Sequence, residues 1–235
     1  AEEAHALVCR LEAESGVAQA AEMIVPTVQK KEKIRLAQLW RPPFARRTLM
    51  LWLIWFGIVF SYYGIFTWLP KLLAGQGYSV VKTFEYVLVM ILAQLPGYFA
   101  AAVLVEKIGR KATLAGFLGA CAVCAYCFGQ SGSTLEIMLW GSLMSFFNLG
   151  AWGVLYTYTP ELYPVRFRAF GSGWAGAVGR IGGIVAPMVV AGMSGSGGFA
   201  RIFVMFAAVL AAVVLVIVLL GEETKGRTLE EISAD

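Results

Sequence analysis

Charge is scarce in this chain. Asp, Glu, Lys and Arg make up 14% of its 235 residues, against roughly a quarter in soluble domains. Hydrophobic residues make up 59%. A water-soluble fold could not hide that much apolar surface, so lipid is the natural solvent. Histidine is nearly absent: His5 stands alone, which excludes a histidine metal cage or a histidine-based triad built from this chain. Cysteine is limited to four residues. Cys121, Cys124 and Cys127 imitate iron–sulfur ligand spacing, but they lie in an apolar run, and one continuous helix cannot wrap three thiolates around a cluster. They read as small buried hydrophobes. Cys9 is isolated, and no disulfide framework follows. No cofactor is expected, and a net charge of +4 is too modest to suggest a nucleic-acid partner. The chain opens at Ala1 without Met and without a basic stretch leading into an apolar one. We therefore expect no signal peptide, and a piece of something longer.

What is present is six long apolar runs, at 49–69, 86–105, 112–128, 137–159, 169–193 and 202–220. Each is close to the ~20 residues that carry a helix across a ~30 Å hydrocarbon core. Barrel strands are excluded, because those alternate and are about half as long. The prediction is an all-α membrane protein with six transmembrane helices. Upstream, residues 1–16 place Ala4, Leu7, Val8 and Leu11 at helical spacing, as an amphipathic helix does. Residues 17–47 form a polar, basic linker in which Pro42-Pro43 blocks a continuous helix. The expected organisation is a cytoplasmic segment at 1–47, a six-helix bundle at 48–221 and a cytoplasmic tail at 222–235.

Orientation follows from the loops. Lys and Arg number eight before the first run, three in 106–111, two in 160–168 and two in the tail. The opposite loops hold only Lys71, Lys82 and Arg201. The positive-inside rule puts both termini in the cytoplasm of a multi-pass protein of the plasma or inner membrane, and an even number of crossings agrees.

The polar content of the runs is uneven. The sixth has no polar side chain, while others carry Tyr62, Tyr63, Gln94, Asn148, Trp152, Tyr156 and Arg180. These are candidates to line a substrate cavity. Asn148, Trp152 and Tyr156 recur every four residues and share one helix face, as do Tyr62 and Phe66. Such faces either stack a planar substrate or pack as a helix seam. Trp68, Tyr78 and Trp140 lie near run ends and fit an interfacial belt. Gly171, Gly173 and Gly176 string like a dinucleotide fingerprint, but they open a membrane helix, where small residues allow close packing. Arg180 stands out. Counted from Ala169, it lies about 16 Å into the membrane, where a charge costs at least ~2.5–3.5 kcal/mol. No acidic residue falls inside any of the six runs. Its partner is then an anionic substrate, a carboxylate from elsewhere, or the backbone carbonyls around Gly179, Gly182 and Gly183.

Three charged stretches lie at the cytoplasmic ends. Glu106-Lys107-Ile108-Gly109-Arg110-Lys111 resembles a D-R-x-G-R-R loop. Pro160-Glu161-Leu162-Tyr163-Pro164 with Arg168 resembles P-E-x-[YF]-P-x-x-x-R. Glu223-Thr224-Lys225-Gly226-Arg227 resembles the tail P-E-T-K-G-R, with Glu222 where proline usually stands. In this order and on one membrane face, they resemble the major facilitator superfamily. The branch is that of sugar porters and metabolite–proton symporters, including niacin transporters. The resemblance spans essentially the whole chain, as a central cytoplasmic loop followed by helices seven to twelve. It implies one half of a twelve-helix fold, with a six-helix N-terminal half as partner. It also implies that Glu106, Arg110, Glu161, Arg168 and Glu223 form a cytoplasmic charge network that gates the path.

Hexose porters usually carry a Gln-Gln pair in the seventh helix. Here the stretch reads Phe60-Ser61-Tyr62-Tyr63. They also carry P-x-P-W in the tenth, where this chain has Trp152 with no preceding proline. With aromatics in place of amides, the chain more closely resembles the metabolite–proton symporter branch that handles niacin and aromatic acids. That resemblance implies a secondary active transporter of an aromatic monocarboxylate such as nicotinate, working by alternating access and coupled to protons. The alternatives are a neutral sugar-like or cationic solute, or a non-transporting membrane receptor on the same scaffold. No enzymatic activity is expected.

Overall fold

The computed structural model describes residues 10, 13–14, 34–193 and 198–227. The expected amphipathic helix and most of the linker at 1–33 therefore lie outside the described residues, apart from an exposed Arg10–Glu14 pair at 3.2 Å. So does the end of the tail. Among the described residues there is no strand. After a one-turn helix α1 (Leu36–Leu39) come α2 (Phe44–Gly75), α3 (Val80–Leu92), α4 (Gln94–Ile108), α5 (Arg110–Gly129), α6 (Thr134–Glu161), α7 (Val165–Met193) and α8 (Gly198–Leu220). With α3 and α4 taken as one, these give six helical spans long and apolar enough to cross a membrane. All belong to one compact unit, Ile34–Asp235.

The second apolar run is interrupted, which its hydropathy does not reveal. The helix breaks at Ala93, three residues before Pro96. A proline lacks the N–H and its ring clashes with the carbonyl four residues back, which here is Leu92, the last residue of α3. Other ends follow capping chemistry. Ser133 Oγ accepts the Glu136 N–H at 3.3 Å, and Glu136 Oε2 accepts the Ser133 N–H at 3.3 Å, a capping box that starts α6. Ser79 caps α3. Gly109 turns the chain between α4 and α5 at φ +99°, a conformation that suits glycine.

Packing centres on α2, which lies against α7 and α8, while α5 packs on α6 and α8, and α4 on α6. Small residues set the α2–α7 approach. A Cβ at Gly182 would sit 2.6 Å from the Phe56 carbonyl oxygen, and one at Gly183 would touch Tyr63 and Val59. The expected packing stripe Gly171, Gly173 and Gly176 is only partly that. Gly171 is closed by the Tyr163 ring, but Gly173 and Gly176 meet nothing within 4 Å and line a cavity instead.

Candidate functional site

Two cavities adjoin at the end of the bundle that carries most of the charge. The first, about 730 Å³, runs along α7 from Arg168 to Arg180 and is closed on the other side by Trp55, Tyr156, Thr159 and Pro160. The second, about 680 Å³, is lined by Glu106, Arg110, Glu161, Arg168 and Thr224. Arg168 and Pro160 belong to both.

An aromatic cluster stands beside the first cavity. Trp55 meets Tyr156 edge-on at 5.1 Å and Trp152 at 5.9 Å. Tyr62 meets Trp152 at 5.6 Å, Tyr63 at 5.5 Å and Phe66 at 4.9 Å. Such edge-to-face contacts follow the ring quadrupole and hold the rings of α2 and α6 in a fixed array. Arg180 joins it from α7, donating from Nη1 to the Tyr63 hydroxyl at 3.0 Å. The arginine is exposed, and it bonds a phenol on the neighbouring helix.

The other candidates separate. Asn148 is fully buried and turned to α5, with Nδ2 3.7 Å from Cys121 Sγ and Oδ1 unpartnered. It shares a helix with Trp152 and Tyr156 but lines neither of the two cavities. Gln94 lies at the α3–α4 break with its Nε2 buried and unpartnered, away from the lining of either cavity.

At the charged end, four of the five expected network residues come together. Arg110 donates from Nε to both Glu161 oxygens at 3.1 Å and reaches Glu106 Oε1 at 3.4 Å. Glu223 accepts the Arg110 and Lys111 backbone N–H groups at 2.8 and 3.1 Å, capping α5 where helix-end donors lack partners. Thr224 Oγ1 donates to Glu161 Oε2 at 2.6 Å. Arg168 stays apart: its Nε and Nη2 are buried without a hydrogen-bond partner. Behind this layer, Tyr163 is buried with its hydroxyl 2.9 Å from Thr48 Oγ1. Burial pushes that hydroxyl's pKa up, against the Thr48 hydrogen bond and the Arg47 charge. Among the described residues no group of His, Cys, Asp and Glu could hold a metal.

Comparison with known proteins fits this geometry. Residues 1–235 match the family described as Sugar (and other) transporter. The chain belongs to that family, within the major facilitator superfamily. It is 64% identical over 98% of its length to the niacin transporter NiaP of Acinetobacter baylyi. It is 49% identical over 82% of its length to a Bacillus subtilis protein named for niacin and nicotinamide transport. Over 93% of its length it is 32% identical to organic cation/carnitine transporter 7 of Arabidopsis thaliana. These matches cover 53%, 48% and 46% of those proteins, so the chain spans about half the length of the curated relatives it matches. The resemblance drawn from the three charged stretches is borne out, as is a multi-pass membrane protein whose relatives are named as transporters rather than enzymes.

Three residues of this family member escaped the sequence reading. Trp55 meets both Trp152 and Tyr156 and donates to Thr159 Oγ1 at 2.9 Å. It lies seven residues before Tyr62, a spacing that returns to the same helix face, so the signal was available. Thr48 and Thr224 act through tertiary contacts that carry no local pattern.

Proposed function

We propose that this chain is the C-terminal half of a secondary active transporter that moves an aromatic monocarboxylate such as nicotinate by alternating access. The carrying observation is the placement of Arg180: an exposed guanidinium, held by Tyr63, beside the rings of Tyr62, Trp152, Tyr156 and Trp55. A guanidinium binds a carboxylate through two parallel charge-assisted hydrogen bonds, and the rings offer a face for a planar substrate. The first cavity carries two arginines and no carboxylate, which favours an anion over a cationic solute. The rings suit a planar solute better than a sugar.

In this reading both termini are cytoplasmic. The upstream half supplies the opposite cavity wall, over the sparsely covered spans Val80–Ile108 and Val165–Met193. The Arg110–Glu161 and Glu223 contacts close the cytoplasmic mouth in one state. Coupling to protons needs a titrating carboxylate that the six runs lack, so that group belongs to the other half. The test is a thermal-shift and uptake panel on the full-length transporter with nicotinate, nicotinamide, a hexose and an organic amine. Nicotinate is expected to stabilise and to be taken up. Stabilisation by the hexose or amine alone would overturn the reading, and binding without uptake would point to a receptor.

A further inference from the structure

The last turn of α8 carries a basic rim. Arg46, in the first turn of α2, donates from Nη2 to the Leu219 carbonyl at 3.1 Å. Lys111, in the first turn of α5, lies over the other side of that end, its Cδ 3.5 Å from where a Cβ on Gly221 would stand. The two cations thus reach the end of α8 from the two helices that pack on it. Basic groups suit a helix C-terminus, where the last carbonyls lack partners. That role occupies one of the five guanidinium donors of Arg46. Among the described residues neither side chain forms an ion pair. The two acids that follow α8 are engaged elsewhere, Glu222 by Arg47 and Glu223 by the α5 backbone.

Below this rim the surface is apolar. Leu49 and Leu53 follow Arg46 at helical spacing and share its face of α2. Both are exposed, as are Leu215 and Leu219 on α8. Deeper in, the two helices close on each other, where a Cβ at Gly57 would run into Val213. Leu53 lies about 10 Å of helix below Arg46, so the exposed leucines occupy the outer part of one leaflet. What stands against them is lipid. From 202 to 220, α8 has no polar side chain, and it is the most apolar of the six spans. Such a helix suits acyl chains rather than an aqueous path. Neither α2 nor α8 is among the spans assigned above to the upstream half. A cation at the interface over exposed leucines is complementary to a phospholipid, phosphate above and acyl chain below.

We propose that Arg46, supported by Lys111, holds the headgroup of an acidic phospholipid at the charged end of the bundle, with an acyl chain over Leu49, Leu53 and Leu219. The phosphate diester accepts the free N–H groups of the Arg46 fork, and Lys111 adds attraction as a point charge. A zwitterionic lipid carries the same phosphate together with an ammonium that both cations repel, so the site selects net negative charge. The site is separate from the Arg180 cluster and does not depend on which solute is carried.

The experiment is a lipid titration of the delipidated full-length transporter, read by native mass spectrometry and by thermal stability. The probes are dioleoyl phosphatidylglycerol, dioleoyl phosphatidylethanolamine and inorganic phosphate. Wild type should bind phosphatidylglycerol about tenfold more tightly than phosphatidylethanolamine, the scale of one hydrogen-bonded charge contact. Arg46→Gln should bring the two lipids within about twofold of each other. Arg46→Lys should keep part of the preference, because the charge remains and the fork is lost. Lys111→Gln should weaken phosphatidylglycerol about fivefold, the scale of one basic group near an anionic headgroup. Its side chain has no ion pair to lose, so it serves where Arg46→Gln does not fold. Lys225→Gln removes the same charge from the same end of the bundle but far from Leu219, over the Lys107 carbonyl, and should stay within about twofold of wild type. Equal binding of the two lipids by wild type would overturn the proposal. So would a preference that survives both Arg46→Gln and Lys111→Gln, since these side chains then answer to some other partner. A loss in Lys225→Gln as large as in Arg46→Gln would show diffuse attraction in place of a site. Displacement of the bound lipid by millimolar inorganic phosphate would show an anion site that makes no use of the leucines, and would overturn it as well.

Discussion

Arg47 and Glu222 pair at 2.8 Å, with the Arg47 side chain 4% exposed and that of Glu222 31% exposed. The pair ties the start of α2 to the segment after α8. The Glu222 backbone also takes part: its N–H donates to the Tyr158 hydroxyl at 3.0 Å, and its carbonyl accepts from that hydroxyl. Proline at 222 would remove both the carboxylate and the N–H. We expect Glu222→Pro to lower stability by about 2 kcal/mol, the cost of leaving a buried charged donor poorly matched. Glu222→Gln, which keeps the N–H, should lose less. Thermal unfolding of the full-length protein in detergent measures both, and equal melting points for Glu222→Pro and wild type would show that the pair contributes nothing.

The Arg110–Glu161 contact is expected to report on the transport state. Both side chains are mostly buried, at 16% and 19% exposure, so the charge-assisted bonds are shielded from salt. Glu161→Gln weakens them while keeping the shape and the contact with Thr224. Spin labels across the charged end should then show a larger open population with little change in folding. Unchanged distances would remove the gating role and leave the pair as a staple between α5 and α6.

The glycines separate packing from path. A Cβ at Gly97 would run into the Phe146 backbone carbonyl of α6, whereas one at Gly173 meets nothing. Overpacking against backbone costs about 1–3 kcal/mol, and alanine for glycine in an open helix interior gains about 0.5–1 kcal/mol. Gly97→Ala should therefore melt lower. Gly173→Ala should melt at or above wild type yet slow transport, because it narrows the cavity wall. A Gly173→Ala protein with wild-type uptake would take this face off the path.

Much of this was legible in the sequence, for identifiable reasons. Membrane spans declare themselves through composition, and the charged stretches through order and spacing. The aromatic cluster was half visible, since Tyr62, Trp152 and Tyr156 sit at helical intervals within their own helices. Which faces meet is a tertiary fact. Asn148 falls in register with Trp152, yet close packing of α5 on α6 turns it to Cys121. Arg168 entered the charge network through its place in the P-E-x-[YF]-P-x-x-x-R stretch. Among the described residues it lines the same cavity as Glu106, Arg110 and Glu161, while Glu161 bonds Arg110, and no local pattern foretells which of two arginines takes one carboxylate.

The orientation is open to direct measurement. Gly132 and Lys107 are both exposed; Lys107 ends α4 just before α5 begins, and Gly132 follows the far end of α5. A cysteine at 132 should react with an impermeant maleimide in intact cells, and one at 107 only after the membrane is opened. The reverse pattern would invert the topology and move the charge network to the outer face.

The strongest expectation concerns Arg180. Its Nη1 is held by a neutral phenol at 3.0 Å. A phenol satisfies one donor of five and neutralises no charge. A guanidinium deep in the membrane is costly without a counter-charge or water, so an arriving carboxylate has much to offer it, and Tyr63 can be displaced or can share the site. Arg180→Ala should weaken nicotinate binding about 10- to 100-fold, the range for loss of hydrogen bonds to a charged group. The melting point should change little, because the side chain is exposed and fills no core space. Arg180→Lys should fall between, keeping the charge without the fork. Nicotinamide, which has the same ring and no charge, should bind the wild type weakly and lose little in Arg180→Ala. Binding isotherms on folded protein decide it. If Arg180→Ala weakens nicotinate and nicotinamide equally, the arginine supports the pocket rather than reading the carboxylate. If it weakens neither, the anion is bound elsewhere.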